Sequence, residues 1–281
     1  MTAPFTEELR PAQGFMFDLD GTLILSDKSL GGYTLLPGAV ELLTELEARA
    51  IPFLALTNGS AYPAAQQAPR LRALGLPISD AHLFTPNSVA AMVFKDRGIE
   101  QVLVLGTQGV ADALHADGIA TVFPGQEGAE AADAVYVAWH PDCSMPDIHA
   151  ACDAVLRGAA LFSASDVPFF ASKGGRAFGY SCAINGAIAR VTGREPEVTG
   201  KPSIHAMNFV AAKLGVPSAD VAVIGDDPKV EIEMARLGDA IGIGVTTGTT
   251  SYAEWAACPL ERRPHRVVDN LGELRGLGLL P

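Results

Sequence analysis

Short apolar runs of four to six residues alternate with helix-like segments along the whole chain, and this constrains the fold more than any other feature. Gly14–Leu19 reads as one buried strand, and Pro52–Thr57, Val102–Leu105, Ala134–Trp139, Ala160–Ser163, Val221–Ile224 and Ile241–Val245 as others. Between them, Pro37–Ala50 reads as a helix carrying Leu42, Leu43 and Leu46. Tyr62–Gly75 reads as another, interrupted at Pro69 and capped by Gly75. A strand buried on both faces is apolar at every position, and intervening helices supply the crossovers that parallel strands need. The expectation is an α/β fold built on a parallel sheet.

At 281 residues the chain exceeds a typical single core, so two compact domains are expected. Residues from about Asn87 to Glu197 carry their own alternation of strands and helices. Such a block suits an insertion, which divides the chain into 1–86, 87–197 and 198–281. With 48% apolar and 19% charged residues the composition is that of a globular chain and argues against disorder. A net charge of −12 argues against a nucleic-acid partner, which demands clustered Lys and Arg. It does not argue against a phosphorylated metabolite, because a bound divalent cation inverts the local field. The cysteines at 143, 152, 182 and 258 form no C-x-x-C pair and read as structural thiols of a reducing compartment. The N-terminus carries acidic residues without an apolar run, and no stretch reaches membrane-spanning length. A cytoplasmic protein without a membrane partner is expected.

Four places carry chemistry. The apolar run Phe15-Met16-Phe17 ends in Asp18-Leu19-Asp20-Gly21-Thr22, two carboxylates of alternate spacing at a strand's carboxyl end. In open α/β sheets that is where the ligand crevice lies. Thr57-Asn58-Gly59-Ser60 follows a second run, and Gly225-Asp226-Asp227 a third. Thr199-Gly200-Lys201-Pro202 places a lysine at a loop-to-helix junction, with Pro202 suited to the first helical turn. Each alone has a bland explanation as a turn or a solvated charge. Together, in this order, they make a phosphate-and-metal site.

D-x-D-G-T, T-N-G, G-K-P and G-D-D-x-x-x-E resemble, in order, the four motifs of the haloacid dehalogenase-like superfamily, from Phe15 to about Leu274. The block between the second and third looks like the type-two cap of subfamily IIA, which includes NagD-type, p-nitrophenyl phosphate and pyridoxal phosphate phosphatases. The resemblance implies a Rossmann-like parallel-sheet core with an inserted α/β cap, and a Mg²⁺-dependent hydrolase of small phosphorylated metabolites. It implies Asp18 as nucleophile forming an aspartyl phosphate, and Asp20 as general acid and then base. Thr57, Asn58 and Gly59 would bind the phosphoryl group, with Lys201 neutralising charge. Asp18, Asp20 through its carbonyl, and Asp226 would hold Mg²⁺. Caps of this class in relatives often carry dimer contacts, so the resemblance allows a homodimer through the cap without fixing the oligomeric state.

Two departures stand out. Glu231, five positions after Asp226, replaces the usual Asp, and its longer side chain is expected at the metal or its water. In the cap, Ala164-Ser165-Asp166-Val167 stands where many relatives carry Asn-Pro-Asp, and Phe178-Gly179-Tyr180-Ser181-Cys182 replaces a small-residue turn. Ser165, Asp166, Arg176, Tyr180 and Ser181 are the expected leaving-group contacts. Competing readings are a phosphotransferase or phosphomutase with the same intermediate, a dehalogenase, disfavoured by Asp20, and a non-catalytic phosphometabolite-binding module.

Overall fold

The computed structural model describes residues 5, 9–26, 32–172 and 175–281, with the side chains of residues 170–176 outside the description. From the N-terminus come β1 (Gly14–Phe17), the short pair β2 (Ile24–Ser26) and β3 (Tyr33–Leu35), α1 (Ala39–Ala48) and β4 (Phe53–Leu56). These lead to α2 (Ala64–Ala73), β5 (Leu83–Phe84) and α3 (Pro86–Asp96). A second run holds β6 (Gln101–Leu105), α4 (Gln108–Ala116), β7 (Ala120–Val122), β8 (Ala134–Val137), α5 (Met145–Leu156) and β9 (Ala160–Ser163). It continues with the hairpin β10 (Phe169–Ser172) and β11 (Gly175–Phe178), α6 (Tyr180–Thr192) and β12 (Glu197–Val198). The last run is α7 (Ile204–Leu214), β13 (Val221–Gly225), α8 (Glu233–Leu237), β14 (Ile241–Val245), α9 (Tyr252–Ala257) and β15 (Arg266–Val268).

The strands form two main sheets, and the ladders within both are parallel. The six-stranded sheet has the order β15-β14-β13-β1-β4-β5, with β1 at its centre between β13 and β4. Alternate residues of β1 enter opposite cores: Phe15 and Phe17 pack with Leu42, Leu43 and Leu46 of α1, while Met16 packs with Met207 and Val210 of α7. Both faces are therefore buried, which is why the run reads as uninterrupted apolar sequence. Each fully buried phenylalanine contributes about 1.5–3 kcal/mol. The five-stranded sheet has the order β12-β9-β8-β6-β7. Its Val102 and Val104 face Phe94 of α3, and its Leu103 and Leu105 face Val155 of α5 and Ile188 of α6. Helix α3 serves both sheets, with Val89 in the core of the first and Val93 and Phe94 in that of the second.

Three local expectations shift. Helix α1 starts at Ala39 rather than Pro37, because Gly38 sits at φ 82°, a left-handed conformation that cannot open an α-helix. Helix α2 runs through Pro69 without a break: Pro69 and Ala65, the residue whose carbonyl it leaves unpaired, both face solvent. Pro202 lies outside α7 rather than in its first turn. Ser203 is the N-cap, its hydroxyl accepting from the Ala206 amide at 3.0 Å, and Pro202 precedes it through a cis peptide bond with Lys201.

The two sheets are tied together beside the strand ends that carry the motifs. Tyr136 Oη donates to Asn87 Oδ1 at 3.1 Å, and Asn87 Nδ2 donates to the Ser60 carbonyl at 3.1 Å. Ser60 Oγ in turn accepts from the Trp139 amide at 3.0 Å. The loop after β4 is thereby fixed to the end of β8. Elsewhere Glu197 accepts from Arg97 Nη1 at 2.7 Å and Nη2 at 2.5 Å, and pairs with His205 Nε2 at 2.5 Å.

Candidate active site

Asp18 leaves β1 with its amide donating to the Ile224 carbonyl at 2.9 Å, so the end of β13 fixes its backbone. Gly21, at φ +92°, turns the chain beside Asp226; a Cβ there would lie 2.5 Å from Asp226 Oδ2. Asp20 Oδ1 accepts from the Ser26 amide at 3.0 Å, which draws β2 over the site. The sheet thus delivers both carboxylates of the first motif to the ends of its central strands.

Lys201 is fully buried. Its ammonium donates to Asp18 Oδ1 and, at 2.8 Å, to Glu231 Oε1. Asn58 holds the lysine's backbone: its Nδ2 donates to the Lys201 carbonyl at 2.6 Å and its Oδ1 accepts from the Lys201 amide at 2.8 Å. Thr57 Oγ1 accepts from the Gly59 amide at 3.0 Å, which leaves the hydroxyl proton of Thr57 as its own to donate. Gly59, expected on the phosphate, therefore commits its amide to Thr57. Glu231, expected among the metal ligands, has both oxygens engaged, Oε1 by Lys201 and Oε2 by the Asp227 amide at 3.2 Å. The extra methylene explains the reach, and the bare Gly225 makes room, since a Cβ there would lie 2.0 Å from Glu231 Cγ.

Asp226 is oriented by a loop the motifs do not include. Asp226 Oδ2 accepts from the Thr249 amide at 2.7 Å and from Thr249 Oγ1 at 3.0 Å. Gly248 lets this loop approach, since a Cβ there would lie 2.0 Å from the same oxygen. Thr247 Oγ1 donates to the Gly21 carbonyl at 2.6 Å and joins the loop to the first motif.

One ammonium thus stands among five carboxyl groups, and burial raises the proton affinities of Asp20, Asp226, Asp227 and Glu231. Burial, then the charge of Asp18, pushes Asp226 up to about 7. Burial pushes Asp20 up to about 6 against the opposing hydrogen bond from Ser26. Glu231 is raised well above the usual range, chiefly by burial. Burial would lower the Lys201 ammonium, yet Asp18 and Glu231 outweigh it and raise it. Such a cluster suits a cation. Asp18 Oδ2 and Asp226 Oδ1 have no hydrogen-bond partner among the described residues, and oxygen donors of this kind match Mg²⁺.

The cavity above the carboxylates is lined by Ser165, Tyr180 and Ser181, as expected from the sequence. Asp166 is not part of that lining; it is exposed and accepts from Asn185 Nδ2 at 2.9 Å. The side chain of Arg176 lies outside the described residues. The aromatic residues Tyr33, Tyr62, Trp139 and Phe169, together with Gln67 and Thr249, also line the cavity and stand outside the motifs. The sequence does hold a signal for two of them: Tyr62 and Trp139 each follow closely on a strand's carboxyl end, where such crevices form.

Two family models match the chain, haloacid dehalogenase-like hydrolase over residues 15–120 and HAD-hydrolase-like over residues 198–274, together more than half of it. A 4-nitrophenylphosphatase from Thermotoga maritima shares the fold at a TM-score of 0.83 and 26% identity, covering 94% of this chain and 97% of that one. A 5'-nucleotidase of Bacillus subtilis is 25% identical over 94% of this chain and 98% of its own length. A glycerol phosphate phosphatase from Mycobacterium tuberculosis, solved in complex with magnesium, is 25% identical at a TM-score of 0.79, covering 95% of this chain and 76% of that one. The chain belongs to the haloacid dehalogenase-like hydrolases. Within them it is an enzyme of the phosphatase kind.

Proposed function

We propose that the protein is a Mg²⁺-dependent phosphomonoester hydrolase that acts on small phosphorylated metabolites through an aspartyl phosphate on Asp18. The observation that carries this reading is the buried ammonium of Lys201 in contact with Asp18, at the centre of a cluster of carboxyl groups. A carboxylate attacks a phosphate dianion only where fixed positive charge offsets their repulsion. Lys201 supplies one such charge. Asp18, Asp226 and the carbonyl of Asp20 would hold Mg²⁺, which when bound would supply further positive charge to the phosphoryl group. The magnesium complex of the mycobacterial relative supports this choice of cation.

In the first step an Asp18 oxygen bonds to phosphorus while the ester oxygen departs, and Asp20 gives that oxygen its proton. An Asp20 pushed up to about 6 keeps its proton in a larger fraction of molecules near neutral pH than an ordinary carboxyl group would. Thr57 donates its hydroxyl proton to a phosphoryl oxygen, joined by the backbone amide of Asn58. In the second step water bonds to phosphorus as the bond to Asp18 breaks, and Asp20 takes the water's proton. The products are the alcohol and inorganic phosphate. Positioned acid–base catalysis of this kind contributes about 10²–10⁴ in rate.

Residues 87–197 serve in this reading as a cap over the core segments 1–86 and 198–281. Support comes from the second sheet and from the cavity walls that Trp139, Ser165 and Tyr180 provide. The cap's exposed Met145 and Leu156 support a homodimer through that domain. Free cysteines fit a cytoplasmic location, and among the described residues no helix is long and apolar enough to cross a membrane. Hydrolysis of p-nitrophenyl phosphate with Mg²⁺ and its loss with EDTA test the proposal. A pure preparation that is inactive in both conditions contradicts it.

A further inference from the structure

We infer that His140, Cys143 and Asp147 form a second metal site, separate from the carboxylates around Asp18, for a borderline-soft divalent ion of the zinc class. It lies outside the catalytic cavity, whose lining includes Trp139 but none of these three residues. The turn His140-Pro141-Asp142-Cys143 builds its first half. Pro141 suits the second position of a β-turn, and the Cys143 amide closes the turn by donating to the His140 carbonyl at 3.3 Å. The first turn of α5 supplies the other half. Ser144 is the N-cap, and Asp147 reaches back to it in a capping box, which returns the carboxylate to the turn.

One donor atom from each of the three residues lies within 4.8 Å of the other two. His140 Nε2 stands 3.5 Å from Asp147 Oδ2, close to the ~3.4 Å between two ligands that are each about 2.0–2.1 Å from a tetrahedral ion. A helix cap accounts for Ser144 and Asp147 but needs neither an imidazole nor a thiol. The capping box uses Asp147 Oδ2 alone, and Oδ1 has no hydrogen-bond partner among the described residues. Cys143 Sγ has only a 3.9 Å contact with the Ser144 carbonyl. Imidazole and thiolate suit Zn²⁺ whereas Mg²⁺ takes oxygen ligands, so the two ions sort between this site and the carboxylates around Asp18. Three protein ligands leave the fourth tetrahedral position to water. Without a cation, burial and then the charge of Asp147 push the Cys143 thiol up to about 11. A bound ion reverses that balance: the thiol gives its proton to solvent and binds as thiolate. The ion joins the end of β8 to the start of α5, one residue beyond Trp139 in the cavity wall.

The test adds Co²⁺, a spectroscopic substitute for Zn²⁺, to the reduced, tag-free enzyme in saturating Mg²⁺. The catalytic carboxylates include no sulfur, so a thiolate-to-cobalt charge-transfer band reports a thiol site alone. The expected band saturates at one Co²⁺ per chain, is abolished by Zn²⁺ and by Cys143→Ser, and is unchanged in Asp226→Asn. Loss of a group that only orients a ligand costs about 10–100-fold in metal affinity. His140→Ala removes a ligand itself and should weaken Zn²⁺ binding, measured by calorimetry, by about 100-fold or more. That variant keeps the capping box and carries the test if Cys143→Ser does not fold. A band that persists in Cys143→Ser assigns the ion to another cysteine, and no band even with excess Co²⁺ reduces the cluster to a helix cap. Either result overturns the inference.

Discussion

The carboxamide of Asn58 and the backbone of Lys201 close a ring of two hydrogen bonds, at 2.6 and 2.8 Å, between residues 143 positions apart. The T-N-G and G-K-P motifs are therefore one device: the asparagine at the end of β4 sets where the lysine's main chain lies. Gly200 allows it, since a Cβ there would lie 2.8 Å from Asn58 Oδ1. Asn58→Ala leaves a partly buried amide and carbonyl without partners, at a cost of about 1–3 kcal/mol. The expected outcome is a lowered Tm together with a fall in kcat larger than any change in KM. Unchanged melting and kinetics would show that Lys201 is held by other means.

The second prediction separates a lysine partner from a metal ligand. Glu231 gives its oxygens to Lys201 and the Asp227 amide. Glu231→Ala leaves the buried ammonium with Asp18 alone and should destabilise the protein by about 3 kcal/mol. Glu231→Gln still accepts from Lys201 and should cost less. Magnesium affinity, measured by calorimetry, should fall far less in Glu231→Gln than in Asp226→Asn. Equal losses in the two variants would place Glu231 on the metal.

The third concerns pH. Asp20 and Asp226 rise from 3.8 to about 6 and about 7 in the folded protein. Between those values and 3.8 the folded state holds protons that the unfolded chain has released. Their stabilising contribution is complete below 3.8 and is lost as pH rises through about 6 and 7. Metal-free protein should therefore lose stability from about pH 4 to about pH 7, and saturating Mg²⁺ should flatten that slope. Asp226→Asn should flatten it without metal. A slope the same in wild type and Asp226→Asn removes Asp226 as its source.

The fourth concerns the loop after β14. Thr249→Val removes one of the hydrogen bonds that aim Asp226, a loss of about 1 kcal/mol or roughly fivefold in apparent Mg²⁺ affinity. Thr249→Ser should restore it, and saturating Mg²⁺ should recover most of kcat in the valine variant. Loss of kcat that Mg²⁺ cannot recover would give Thr249 a part in the chemistry itself.

The parallel sheets were legible in the sequence because their strands are buried on both faces, as Phe15, Met16 and Phe17 illustrate. Asp18, Asp20, Lys201 and Asp226 were legible as a group because each sits at or near a strand's carboxyl end, the last three with a glycine beside them. What escaped notice depends on tertiary approach. Thr249 reaches Asp226 from a threonine-rich loop that resembles any other loop. Tyr33 and Phe169 carry no such strand-end signal as Tyr62 and Trp139 do, and only the packing of the two sheets brings the four to one cavity. The side chain of Glu231 reads as a metal donor because its partner, Lys201, lies thirty positions away and carries the signature of a different motif.

The central claim is a covalent bond between phosphorus and Asp18. Asp20→Asn should still form that bond with p-nitrophenyl phosphate, whose leaving group needs no proton, but should hydrolyse it slowly because no base activates water. Acid quenching of this variant during turnover, followed by peptide mass spectrometry, tests the claim directly. The account predicts a phosphoryl group on Asp18, removed by hydroxylamine and absent from the Asp18→Asn enzyme. A rapidly quenched Asp20→Asn sample that turns over substrate with no phosphoryl group on Asp18 would contradict it.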